Sequence, residues 1–234
     1  MWWFAALHAN LIALLDRARP RPGRLLDAGC GTGGLLAKLA AGYPNRAIVG
    51  VDMAGIACAR ARTKSGSLVC AASVNALPFA DRAFAAIVSA DVLCHRGVDE
   101  RAALAQFHRC LGPDGLLVLN LPAYRWMLSR HDMAVHNARR YTRTGVTALL
   151  RAADFRPIYA GYWNTVLFPL MLATRKLLPP RDDGDSDVRL YPRPVEALCR
   201  AATALERGLM RCGLRLPFGG SVVAVAVKVE AADA

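Results

Sequence analysis

Two stretches of the chain carry residue types whose spacing suits chemistry. The first reads Asp27-Ala28-Gly29-Cys30-Gly31-Thr32-Gly33-Gly34. Its glycines permit a tight turn and let backbone approach a ligand with no Cβ in the way. Gly29-x-Gly31-x-x-Gly34 is a formal match to the dinucleotide fingerprint, so a nicotinamide oxidoreductase is one reading. Asp27 opposes it. A carboxylate two residues before the first glycine would face a pyrophosphate, and like charges there are costly. The same carboxylate suits a ligand with an ammonium, a sulfonium and no phosphate, which describes S-adenosylmethionine. Asp52 ends an apolar run about 20 residues past the glycines, where a carboxylate can hold a ribose hydroxyl pair. Its alternative is a cap for the next helix.

The second stretch is His131-Asp132-x-x-x-His136-x-x-Arg139-Arg140-Tyr141-Thr142. Paired histidines could take a proton from a phenol, hydroxyl or carboxyl. Adjacent arginines beside a tyrosine could clamp a carboxylate or phosphate. The alternative is an Arg/Asp/His network that only positions a loop. His-Asp with a second His has metal-ligand types, but no third ligand stands at orderly spacing, so no metal is expected. The run Asp182-Asp183-Gly184-Asp185-Ser186-Asp187 lacks the twelfth-position Glu of an EF-hand.

Elements must hold these groups. Leu25-Leu26 reads as a buried strand, and Leu35, Leu36 and Leu39 as the helix after the glycine turn, ending near Gly42. Further strands are expected at 47–52, 68–72, 84–89, 116–122, 156–161 and 221–229, with 111–115 a turn. Helices are expected at 54–62, from Asp99 to Cys110, from Thr142 as N-cap to Ala153, and at 194–212. Seven strands alternating with helices make a doubly wound, Rossmann-like α/β sheet. Ligands of such sheets sit outside the carboxyl ends of the strands, so Asp91, His95 and Asn120 should border an acceptor pocket.

Leu-Asp-Ala-Gly-Cys-Gly-Thr-Gly from Leu26, Gly50-Val51-Asp52, Ala76-Leu77-Pro78-Phe79-Ala80-Asp81 and Ile87-Val88-Ser89-Ala90-Asp91-Val92-Leu93-Cys94-His95 follow one another in order. Together they resemble the class I S-adenosylmethionine-dependent methyltransferases, nearest the branch of the ubiquinone and menaquinone biosynthesis enzymes. The resemblance implies a cofactor, S-adenosyl-L-methionine, held by Asp27 and the backbone of Gly29, Gly31 and Gly33, with Cys30 and Ser89 alongside. It implies Asp52 on the ribose and Met53 against the adenine. Ser73 stands where the family usually has an acid for the adenine amino group, and Val74 follows with its N–H toward the ring. Ala85 replaces another usual Asp. The last strand would enter antiparallel. Residues 1–23 would form an N-terminal helix and 24–234 the methyltransferase domain, with substrate-side insertions at 123–142 and 162–215. His131, His136, Arg140 and Tyr141 are then the catalytic candidates, on an insertion where such folds place a lid.

Composition narrows the acceptor. The chain has 234 residues and a formal charge of +12, with only four lysines. That balance favours an anionic partner: lipid head groups, nucleic acid or an acidic small molecule. Basic residues are dispersed and no aromatic–basic stacking platform is evident, which disfavours nucleic acid. A small-molecule or lipid-like acceptor is expected, with a nucleic-acid enzyme and a catalytically silent binding protein as alternatives. Seven scattered cysteines with no C-x-x-C pair point to reduced thiols in a cytoplasmic protein. Trp2-Trp3-Phe4 precedes Arg17, Arg19, Arg21 and Arg24, and the stretch 157–174 has no charge, so contact with the inner face of an anionic membrane is a further expectation. Core burial of both segments is the alternative. Oligomeric state is not legible.

Overall fold

The computed structural model describes residues 1–129, 132, 136–177 and 191–230, with 174–177 as backbone only. Seven strands form one sheet: β1 (Leu25–Ala28), β2 (Ile48–Asp52), β3 (Leu68–Ala71), β4 (Phe84–Ala90), β5 (Leu111–Pro122), β6 (Phe155–Trp163) and β7 (Ser221–Lys228). Their order is β3-β2-β1-β4-β5-β7-β6, parallel through β5. β7 enters antiparallel between β5 and β6, pairing Ala224 with Leu119 on one side and Ala160 on the other. The sheet is therefore the doubly wound α/β sheet with an antiparallel last strand that the sequence implies. Strands covered on both faces must be apolar throughout, and Ile48-Val49-Gly50-Val51 and the β7 run are.

Helices α1 (Trp2–Ala18), α2 (Gly34–Gly42) and α3 (Gly55–Ser65) cover one face, and α4 (Glu100–Cys110) and α5 (Arg143–Arg151) the other. Leu7, Leu11, Leu14 and Leu15 of α1 recur at helical spacing and are all buried. α4 and α5 start where Asp99 and Thr142 accept backbone N–H bonds as caps. Asp154 takes a left-handed φ of 59° at the end of α5, the conformation more often given to Gly. The expected turn at 111–115 is absorbed into β5: Leu111 pairs with Phe84, and the ladder slips before Ala86 meets Leu116.

After β6 come α6 (Phe168–Leu177) and α7 (Arg193–Arg211). α7 lies beside α1 and turns Glu196, Cys199, Thr203, Glu206 and Met210 inward. The aromatics considered for a membrane surface are mostly core. Trp3 stacks on the fully buried Trp163 with ring centroids 4.7 Å apart, and Tyr159 and Tyr162 are buried. The alternation of β6 between two covered faces accounts for this. Among the described residues no helix is long and apolar enough to cross a membrane.

Candidate functional site

The glycine turn hangs from β2. The N–H groups of Gly29 and Cys30 both donate to the Val51 carbonyl, at 2.8 and 2.9 Å. Gly31 N–H donates to the Asp52 carboxylate at 2.8 Å, and Ala54 N–H donates to its other oxygen at 3.0 Å. Asp52 thus braces the turn from the end of the neighbouring strand. Gly33 enters α2 with φ 79°, and a Cβ there would lie 2.6 Å from the Ala61 Cα of α3. Only glycine fits, because the obstacle is backbone rather than a movable side chain.

Asp27 lies fully buried in β1 beneath this turn, and one of its carboxylate oxygens has no hydrogen-bond partner. Burial, then the charge of Asp52, pushes its pKa up to about 7, against a backbone hydrogen bond from Leu36. An orphaned buried acceptor is rare in a native interior and calls for a partner. An ammonium group meets that need, because it supplies both hydrogen bonds and the opposite charge.

The other cofactor candidates divide. Met53 is 76 % exposed beside Asp52, free to lie against a flat ring. Ser73 Oγ accepts from Asn75 N–H at 3.2 Å in a turn that carries the buried Val74. The Cys30 thiol points into the core, 3.0 Å from where a Gly50 Cβ would stand, and burial pushes its pKa up to about 12, so it is not a nucleophile. The Ser89 hydroxyl donates to the Ala28 carbonyl at 2.9 Å and ties β4 to β1.

A second cluster stands at the ends of β4 and β5. Asp91 adopts φ 55°, sparse for a residue with a Cβ. Its carboxylate accepts from Asn120 Nδ2 at 2.8 Å, and Asn120 Oδ1 accepts from Trp163 Nε1 at 2.7 Å. Burial raises the Asp91 pKa to about 7 in spite of the Asn120 hydrogen bond and the Arg140 charge. Such a group can accept a proton near neutral pH. Near the strand ends stands an aromatic wall: Tyr124 stacks on Tyr162 at 5.3 Å and on Trp126 at 5.5 Å, with Phe168 and then Phe218 beyond.

Of the lid candidates, His131 lies outside the described residues. His136 is exposed with φ 59°, and its carbonyl accepts from Arg96 N–H. Arg140 and Tyr141 face inward. The Arg140 guanidinium grips Asp132 with Nε and Nη2, each at 3.0 Å, and donates to the Ala123 carbonyl at 2.9 Å. Tyr141 OH donates at 2.7 Å to Glu100, close also to the Leu93 carbonyl, and Arg139 pairs with Glu100 and donates to the Leu93 and His95 carbonyls. These bonds lash 137–141 to the loop after β4. Burial alone would lift Asp132, but the Arg140 hydrogen bonds and charge outweigh it and hold the carboxyl below its ordinary range. Its stabilisation is therefore present above about pH 4 and lost on acidification. Asp132→Ala should cost about 3–5 kcal/mol, since it leaves a buried guanidinium unpaired. Thermal unfolding checks this, and a loss under about 1 kcal/mol would show that the pair does not hold the strap.

Known proteins resemble this chain in sequence and in fold. Residues 25–115 match the family model described as "Methyltransferase domain". Malonyl-[acyl-carrier protein] O-methyltransferase of Geobacter sulfurreducens is 32% identical over 165 residues, 64% of this chain and 61% of that protein. A Bacillus subtilis protein provisionally named a 23S rRNA (guanine-N(1)-)-methyltransferase is 27% identical over 176 residues, 70% of this chain and 59% of that protein. The chain thus spans about three-fifths of the length of these curated relatives. Among solved structures, a chain from the complex of the Trm112 methyltransferase activator with its methyltransferase in Haloferax volcanii superposes with a TM-score of 0.63 at 18% identity. The superposition covers 98% of this chain and 91% of that one, a likeness of fold.

Proposed function

We propose that the chain is a class I S-adenosylmethionine-dependent methyltransferase, which the match of residues 25–115 to a methyltransferase-domain model supports, and that it methylates a small-molecule or lipid-like acceptor. The observation that carries this reading is the unpartnered, buried Asp27 oxygen beneath the glycine turn. When bound, S-adenosylmethionine supplies an electrophilic methyl group on its sulfonium. Asp27 would take the amino group, the backbone of Gly29, Gly31 and Gly33 would follow the methionine portion, and Asp52 would take the ribose. Met53, Ser73 and Val74 would face the adenine. Kinship with the quinone-biosynthesis branch rests on motif order and belongs to this proposal.

On the acceptor side, Asp91 is the proton acceptor, needed where the acceptor carries a hydroxyl, carboxyl or amine. Asn120 and Trp163 orient it. Arg140 and Tyr141 are positioning residues, because their polar atoms already bind Asp132, Ala123, Glu100 and Leu93. His136, exposed on the same strap, remains a candidate for contact with the acceptor. The aromatic wall from Tyr162 to Phe218 favours an apolar or ring-bearing acceptor. Exposed Trp126, Leu128, Val166, Leu170 and Phe218, on the segments around this wall, support work at a lipid surface by a cytoplasmic protein.

A nucleic-acid acceptor is the second reading, favoured by the +12 charge and by the name of the Bacillus subtilis relative. Methyl-labelled S-adenosylmethionine, incubated with the protein and with lipid, small-molecule and RNA fractions of a cell extract, separates these readings. Label should enter the lipid or small-molecule fraction. Label in RNA alone would transfer the proposal to the second reading. Cofactor binding with no label in any fraction would mean a silent binding protein.

A further inference from the structure

A cleft of about 420 Å³ lies along the outer edge of the sheet, with the α5 residues Arg143, Thr147 and Arg151 on one side. Their spacing of four places them on one face of the helix. Arg215 and the β6 residues Tyr159 and Ala160 complete the lining. A fourth arginine, Arg17 of α1, lies over the Tyr159 ring at 5.8 Å. Among the described residues none of the three lining arginines, Arg143, Arg151 and Arg215, pairs with a carboxylate. Unneutralised guanidinium groups gathered at one concave surface repel one another and draw an anion.

We propose that this cleft is a binding site for a phosphate-bearing small molecule or head group, separate from the glycine turn. Its volume is that of a small-ligand site, which runs from about 300 to 1,000 Å³. A single carboxylate would leave most of the arginine charge uncompensated. A phosphate monoester or diphosphate brings two or more charges and oxygens that match the guanidinium fork. An added peptide strand suits the edge poorly, because the β6 ladder slips between Pro157 and Tyr159 and Pro157 has no N–H to give. The Arg143 end of the cleft adjoins the acceptor side, since Arg143 N–H donates to Tyr162 OH at 3.1 Å and Tyr162 stacks on Tyr124.

Two probes test the site on the full chain at fixed low salt: soluble pyrophosphate by calorimetry, and phosphatidic-acid vesicles in phosphatidylcholine by cosedimentation. The pair Arg151→Ala and Arg215→Ala removes two exposed side chains for which the described residues supply no hydrogen bond or ion pair, so the fold should persist, as a melting curve verifies. The pair Arg96→Ala and Arg101→Ala removes two exposed arginines elsewhere and serves as the charge control. Pyrophosphate binding that weakens at least tenfold in the first variant and not in the control supports a soluble phosphate ligand. Binding to the acidic vesicles alone, lost in the same variant only, supports a head group. No binding of either probe, or equal loss in both variants, or none in either, overturns the proposal.

Discussion

Asp27→Asn should bind S-adenosylmethionine about 30- to 150-fold more weakly than the parent, and should melt at a higher temperature when no ligand is present above pH 7. The first effect is the loss of a charge-assisted bond to the amino group, worth about 2–3 kcal/mol. The second follows from the raised pKa of Asp27. In the unfolded chain the carboxyl releases its proton near pH 4, and in the folded chain near 7. Stability is therefore complete below about pH 4, falls as the pH rises through this window, and carries the full penalty of a few kcal/mol above it. An amide of the same shape never ionises and escapes that penalty. The fold holds a carboxylate at a cost to itself, and ligand binding is what would offset it. Calorimetry with the cofactor and melting curves at pH 5 and 8 check both effects. Unchanged affinity would remove Asp27 from the binding site.

Asp91→Asn should lower turnover by about 10²- to 10⁴-fold, the range for losing a positioned proton acceptor, while cofactor affinity stays within about threefold. The parent's rate should climb as the pH passes about 7, where the Asp91 carboxyl loses its proton, and then level off. The variant's residual rate should not follow that curve. The measurement is a kcat profile between pH 6 and 9 with the acceptor that labelling identifies. A flat profile in the parent, or a variant with more than a tenth of its rate, would assign Asp91 to backbone geometry alone.

The cofactor side was legible in sequence because its chemistry is local. Asp27 and the glycines sit within seven residues, and Asp52 ends the next strand, so one βαβ unit brings them together. The acceptor side depends on chain segments far apart. Asp91 owes its raised pKa to burial at the ends of β4 and β5, and its spacing carries no sign of this. Arg140 beside Tyr141 reads equally as a clamp or a brace, and only the return of Asp132 to the guanidinium distinguishes them. The uncharged stretch 157–174 reads as core or as membrane contact, and only α1, which places Trp3 on Trp163, shows that most of its aromatics turn inward. Arg143, Arg151 and Arg215 share a cleft because α5 and the loop before β7 flank one edge strand, a relation no local pattern encodes.

The insertion of β7 between β5 and β6 has a consequence for how the chain comes into being. As the ribosome proceeds, β1 to β5 can pair with one another in turn, but β6 emerges with no neighbour to accept it. Both β5 and β6 hold bare, apolar edges until 221–228 arrive, some 60 residues after β6 is complete. Such edges are templates for intermolecular pairing, and closing them requires contacts far apart in sequence, which form slowly. A nascent chain stalled before Ser221 is thus the form of this protein most exposed to aggregation, and the one with most need of a chaperone.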